Sequence, residues 1–180
     1  NNGATLGGRI FAAGLVGDDN AAKGLSGILQ EKSVDVTGFI KDANRSTISK
    51  TRIVAGGRTT VSQQIVRVDK ESKEPMGKAQ EQQLEEYLKQ VLPQVKGVVL
   101  SDYGSGTITD KLLGQIFAYC QEHNIPTIVD SRYDILRFKT VDYIKQNDAE
   151  LSAAIGRDLA TEEELVLGGC ELLVKMSAKG

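Results

Sequence analysis

The stretch that decides the fold runs from Gly14 to Phe39: G-L-V-G-D-D-N-A-A-K-G-L-S-G-I-L-Q-E-K-S-V-D-V-T-G-F. An apolar run ends at Gly17, two acids and an asparagine follow, and Leu25, Ile28 and Leu29 then recur at helical spacing. Val34 to Ile40 returns to an alternating, β-branched pattern. The spacing predicts a strand over 9–16, a helix over 20–32 and a strand over 36–41, a strand–glycine–helix–strand unit of the α/β class.

Working outward, residues 45–69 change rhythm. S-T-I-S-K-T-R-I-V over 46–54 and T-V-S-Q-Q-I-V-R-V over 60–68 alternate with period two around Gly56-Gly57, which predicts a hairpin with one wet face. Such a hairpin stands off a parallel core. From residue 77 the pattern alternates again: helix 77–92, strand 97–102, helix 109–122, strands 126–130 and 141–145, helices 148–156 and 161–169, and strand 171–176. That order predicts a mostly parallel, doubly wound sheet with helices on both faces. The expected division is an α/β core of residues 1–44 and 70–180 with 45–69 inserted as a small β-sheet.

Composition narrows the function. With 22 basic against 24 acidic residues the net charge is −2, which leaves no electrostatic footprint for nucleic acid or an anionic membrane. No apolar run spans a bilayer and no signal peptide is visible, so a cytoplasmic protein is expected. Cys120 and Cys170 lie in helical apolar patterns without a CxxC partner and read as buried thiols. The one histidine, His123, sits at a helix end and reads as a partner for the last carbonyls. One histidine and no cysteine pair leave no ligand set for a structural zinc.

Three motifs carry chemistry. V-V-L-S-D-Y-G-S-G over 98–106 is a strand feeding a glycine-containing loop, the place where open α/β sheets bind ligands. P-T-I-V-D-S-R over 126–132 ends a buried strand in an acid and a base. Asn147-Asp-Ala-Glu150 opens a helix after strand 141–145 and is by local physics a capping box, as is Thr161-Glu-Glu-Glu164.

Together with G-x-x-G-D at 14–18, K-T-R-I-V-A at 50–55 and Q-Q-I-V-R-V-D-K-E at 63–71, these motifs resemble the ribokinase/PfkB family of carbohydrate kinases in the family's order. V-L-S-D-Y-G-x-G is most similar to its heptose 7-phosphate kinase branch. The resemblance implies a ribokinase-like doubly wound sheet whose inserted hairpin is a lid over the sugar and a homodimer contact. It implies transfer of the γ-phosphoryl of ATP, with Mg²⁺, to a sugar phosphate. Asp102, Tyr103, Arg52 and Arg67 would face the sugar or its phosphate. Asp130, Arg132 and Asn147 would face the nucleotide, and Glu150 the metal.

V-K-M-S-A-K-G over 174–180 resembles the family's V-T-L-G-x-x-G strand and turn, placing Lys175, Ser177 and Gly180 beside the nucleotide. Three departures weaken phosphate or nucleotide contact: Ser105 where that branch carries lysine, and Lys175 and Ser177 for Thr and Gly. They support an alternative, a kinase-like module that binds or dimerises without catalysis. The family's base belongs to a G-x-G-D helix start, and no G-x-G-D occurs between Asn1 and Gly180. No catalytic residue is therefore assigned within this chain. The expectation is the central portion of a kinase, truncated at both ends and inactive alone.

Overall fold

A computed structural model describes residues 2–56 and 61–180. The turn of the expected hairpin, Gly57 to Thr60, lies outside the described residues. The chain divides into two compact units, Asn1–Leu84 and Glu85–Gly180.

The first unit opens with a short helix, α1 (Asn2–Thr5), followed by β1 (Phe11–Val16), α2 (Asn20–Glu31) and β2 (Asp35–Lys41). β1 and β2 pair in parallel, Ala13 opposite Gly38 and Val16 opposite Lys41. α2 starts where Asp19 caps it, its carboxylate accepting from the Ala22 amide at 2.9 Å. β3 (Ser49–Ala55) and β4 (Gln63–Lys70) form a separate antiparallel pair, exposed along almost its whole length.

The boundary between the units falls within α3 (Lys78–Val91). The second unit then continues with β5 (Val98–Asp102), α4 (Asp110–Glu122), β6 (Thr127–Ser131), β7 (Tyr143–Lys145), α5 (Asp148–Ile155) and α6 (Glu162–Met176). β5, β6 and β7 are parallel, in that order. α4, capped by Thr109, buries Leu112, Leu113, Ile116, Phe117 and Cys120, a helical stripe. Leu100 and Val129, on the inward face of the sheet, are also buried. The Nδ1 of His123 lies 3.0 Å from the Tyr119 carbonyl oxygen at the end of α4, with the two rings stacked.

Two expectations fail. The segment read as strand 171–176 is the second half of α6. Gly168-Gly169 looks like a helix stop, yet a Cβ at Gly168 would lie 2.7 Å from Leu159 Cδ1. The glycine is there for close packing, and Gly168, Leu172 and Met176 form one buried helical row. Cys170 falls off that row and is exposed, whereas Cys120 is buried as expected.

Glycines with different surroundings separate the forces at work. A Cβ at Gly17 would sit 2.6 Å from the Arg45 carbonyl oxygen and 2.8 Å from the Thr47 amide nitrogen, both backbone atoms. Gly17→Ala is expected to cost about 1–3 kcal/mol, as overpacking against backbone does. Gly27, inside α2 with nothing within 4 Å of its Cβ position, is expected to gain about 0.5–1 kcal/mol on substitution by alanine. Urea denaturation of both variants checks the contrast in sign.

Candidate functional site

In the first unit the G-D-D turn and the hairpin roots are held together. Asp19 not only caps α2. Its carboxylate also accepts from the Thr47 amide at 2.8 Å and the Thr47 hydroxyl at 2.7 Å. The Gly17 amide donates to the same Thr47 oxygen at 2.9 Å. Thr47 lies two residues before β3, so one carboxylate joins the end of β1, the start of α2 and the entry to the hairpin.

The exit is held by Arg45, whose side chain is nearly fully buried. It pairs with Asp42 at 3.6 Å and donates to the Ser72 hydroxyl and the Glu74 carbonyl oxygen. The hairpin itself has two unlike faces. Thr51 opposes Val68 and Ile53 opposes Val66, giving an apolar face whose three large residues are all exposed. On the other face Lys50 opposes Asp69 and Arg52 opposes Arg67. Asp69 accepts from Arg67 Nε at 2.9 Å, and Lys50 pairs with Glu71 at 2.8 Å. Among the described residues Arg52 has no ion-pair partner, and like charges stand directly across the strands, an arrangement unfavourable in itself that the Arg67–Asp69 pair partly offsets.

In the second unit, parallel pairing carries the ends of β5, β6 and β7 to one edge. Asp102 is opposite Ser131, and Asp130 is opposite Lys145. Asp102 is buried. Its Oδ2 accepts from the Ser131 hydroxyl at 3.0 Å and its Oδ1 from the Gly104 amide at 3.0 Å. Gly104 has φ +67°, which favours glycine, and a Cβ there would lie 3.1 Å from the Tyr133 ring and crowd it. Tyr103 and Tyr133 are both exposed, and the Arg132 guanidinium lies over the Tyr133 ring at 5.7 Å. Asp130 and Lys145 are 3.4 Å apart.

Next along the edge, Gln146 Nε2 donates to the Ser131 carbonyl oxygen at 2.8 Å. The capping box follows: Asn147 Oδ1 accepts from the Glu150 amide at 2.8 Å and Glu150 Oε2 from the Asn147 amide at 3.0 Å. A cavity of about 120 Å³ opens here, lined by Ser131, Arg132, Tyr133, Gln146 and Glu150 among others. Asp102, Tyr103, Asp130, Arg132, Asn147 and Glu150, all expected at the site, are thus brought to one edge of one sheet.

Lys175, Ser177 and Gly180 are not. Lys175 is on α6, paired with Glu171 at 2.8 Å. Ser177 ends that helix in the left-handed region. It borders a different cavity of about 350 Å³ with Thr127, Asp142 and Lys179, at the amino ends of β6 and β7. Gly180 pairs with the first residue of β7, bonding to Asp142 and Ile144 in the parallel pattern. With 174–176 helical, the strand-and-turn motif on which those three assignments rested does not exist there. Ser131, Tyr133 and Gln146, by contrast, line the site although the motifs did not single them out.

At this edge Asp102 is committed to the Ser131 hydroxyl and the Gly104 amide, and Asp130 is paired with Lys145, which leaves Asp148 and Glu150 at the start of α5 as the carboxylates open to a magnesium ion. Glu150 Oε2 is engaged by the cap, and Oε1 lies outside the box. No cluster of three acidic, histidine or cysteine side chains occurs among the described residues. That donor set fits Mg²⁺, which keeps several waters and uses one or two carboxylates plus substrate phosphates.

Three hydrogen bonds pull the Asp19 carboxyl from an ordinary 3.8 down to about 2, the Ala22 amide contributing most, then the Thr47 amide and hydroxyl. Because the folded value is depressed, the stabilisation is complete above the unfolded value of 3.8 and is lost as pH falls through about 2. Asp19→Asn is expected to lower Tm at pH 6, with the gap from the wild type closing as pH falls from 4 to 2. Thermal unfolding followed by circular dichroism across that range measures it.

The profile of the pfkB family carbohydrate kinases matches residues 1–179. The bifunctional protein HldE of Geobacter sulfurreducens is 33% identical over 174 residues, 96% of this chain and 34% of that protein. HldE of Hyphomonas neptunium is 37% identical over 180 residues, 99% of this chain and 36% of that protein. The chain therefore spans about a third of the length of these curated relatives. Among solved structures, phosphofructokinase-2 of Escherichia coli in complex with substrates and products superposes with a TM-score of 0.70 at 22% identity. That match covers 98% of this chain and 56% of the other. Arabidopsis thaliana ribokinase, complexed with ribose and ATP, gives 0.68 at 18% identity over 96% of this chain and 54% of the other. The fold is the ribokinase-like α/β fold. No described helix is long and apolar enough to cross a membrane.

Proposed function

The chain belongs to the pfkB family of carbohydrate kinases, and we propose that it serves transfer of the γ-phosphoryl of ATP to a hydroxyl of a heptose 7-phosphate. The observation that carries this reading is the gathering of Asp102, Arg132, Asn147 and Glu150 at the carboxyl edge of β5–β6–β7, where parallel sheets bind ligands.

In the proposed reaction the acceptor oxygen bonds to the γ-phosphorus, the bond to the β–γ bridging oxygen breaks, and the hydroxyl proton passes to a base. No residue of this chain is assigned as that base, and the 180 residues alone are proposed to be inactive. A base contributes about 10²–10⁴ in rate. A magnesium ion held by Glu150 would supply positive charge against the charge developing on the transferring phosphoryl group. Asn147 and Glu150 orient the start of α5, and Glu150 supplies the carboxylate for the ion. The exposed Arg132 offers a planar fork to phosphate oxygens, with Asp130 beside it.

The hairpin is proposed as the lid of the sugar site, its charged face reading the phosphate the acceptor already carries. The Arg52–Arg67 pair supports this, because two guanidiniums set opposite each other are relieved by an anion between them. The apolar face, Thr51, Ile53, Val66 and Val68, is proposed as the contact of a homodimer, since an isolated two-stranded sheet is marginal in water. Free Cys120 and Cys170 suit a reducing cytoplasm.

Calorimetric titration of the chain with a heptose 7-phosphate and with the unphosphorylated heptose tests the reading. Arg52→Ala and Arg67→Ala are each expected to weaken binding of the phosphate ester at least about 10-fold, the scale of a lost charge-assisted hydrogen bond, and to leave the free sugar unaffected. Equal loss for both sugars would remove the phosphate-reading role.

A further inference from the structure

Ser131 stands at the junction of the three strand ends, and its side chain is almost fully buried. Its hydroxyl donates to Asp102 Oδ2 at 3.0 Å, while its carbonyl oxygen accepts from Gln146 Nε2 at 2.8 Å. Asp102 is itself enclosed: the carbonyl oxygen accepts from the Arg132 amide at 3.0 Å and Oδ1 from the Gly104 amide at 3.0 Å. Both carboxylate oxygens are therefore committed within the protein, and Asp102 is only 6% exposed. A group so placed acts on a ligand through what it holds, and what it holds is the turn Tyr103-Gly104.

We propose that Ser131 is the positioning residue of this edge. By filling Oδ2 it fixes the Asp102 carboxylate in the rotamer that grips the Gly104 amide, and so sets the path of the 102–106 loop. Through Gln146 its carbonyl holds the residue just before the Asn147 cap, so the loop after β5 and the start of α5 share one frame. Without the hydroxyl, a buried carboxylate oxygen loses its donor and the loop gains freedom, since an unsatisfied buried acceptor is costly. What the loop is positioned for rests on the phosphoryl-transfer reading, but the positioning does not.

β6 contains its own control. At its other end the Thr127 hydroxyl donates to Asp142 Oδ2 at 2.9 Å, the same hydroxyl-to-carboxylate bond at the opposite edge. Amide hydrogen exchange of the 180-residue chain, followed by NMR without any ligand, therefore tests the proposal whether or not the kinase reading stands. Ser131→Ala is expected to speed exchange of the Gly104 amide about 2- to 10-fold. Ser131→Cys, which keeps a weak donor, should fall between, with the Gly104 amide proton shift moving in the same order. Thr127→Val should leave Gly104 unchanged. Unchanged exchange at Gly104 in both Ser131 variants, or an equal rise in Thr127→Val, overturns the assignment.

Discussion

Parallel pairing of β5, β6 and β7 is the constraint on which the candidate site depends. In a parallel sheet every strand ends on the same edge, so residues far apart in sequence meet there without any contact designed between them. The registers Asp102 to Ser131 and Asp130 to Lys145 make this concrete. Ser131 lies one hydrogen bond from Asp102 and another from Gln146, so the loop after β5 and the helix start after β7 are linked through a single residue. The rest of the edge, the glycine at φ +67° under Tyr133 and the exposed Arg132, hangs on that frame.

The charge at the start of α5 bears on the proposed metal. A bare helix N-terminus attracts anions. Here Asp148 and Glu150 occupy the first turn, and their charge opposes a phosphate approaching alone. A divalent cation held by these carboxylates would reverse that sign. The capping box and the metal reading are thus compatible: one Glu150 oxygen closes the helix start and the other remains outside the cap. On the hairpin, Arg52 and Arg67 stand opposite each other, and Arg67 already has the Asp69 carboxylate beside it.

Much of this was legible in the residues. The β1–α2–β2 unit, the stand-off hairpin and the strands of the second unit follow from periodicity and glycine placement, because local spacing fixes local structure. Both capping boxes were readable for the same reason: their partners are three residues apart. What escaped was non-local. The grip of Asp19 on Thr47 joins residues far apart in the chain, and no pattern announces it. The packing of Gly168 against Leu159 that continues α6 is likewise non-local; 171–176 was misread as a strand, and Lys175, Ser177 and Gly180 were placed at the site by the likeness of V-K-M-S-A-K-G to a strand and turn. Ser131 stood inside the quoted P-T-I-V-D-S-R, but its partner could be named only from the fold.

The carboxyl edge of the second unit is the proposed seat of a phosphate-bearing ligand. Chemical-shift mapping of the ¹⁵N-labelled chain with Mg-ATP reads this most directly. Perturbations are expected to concentrate at 102–106, 130–133 and 146–150. Perturbations confined to 124–127, 140–142 and 177–179, around the cavity at the opposite edge, would contradict it.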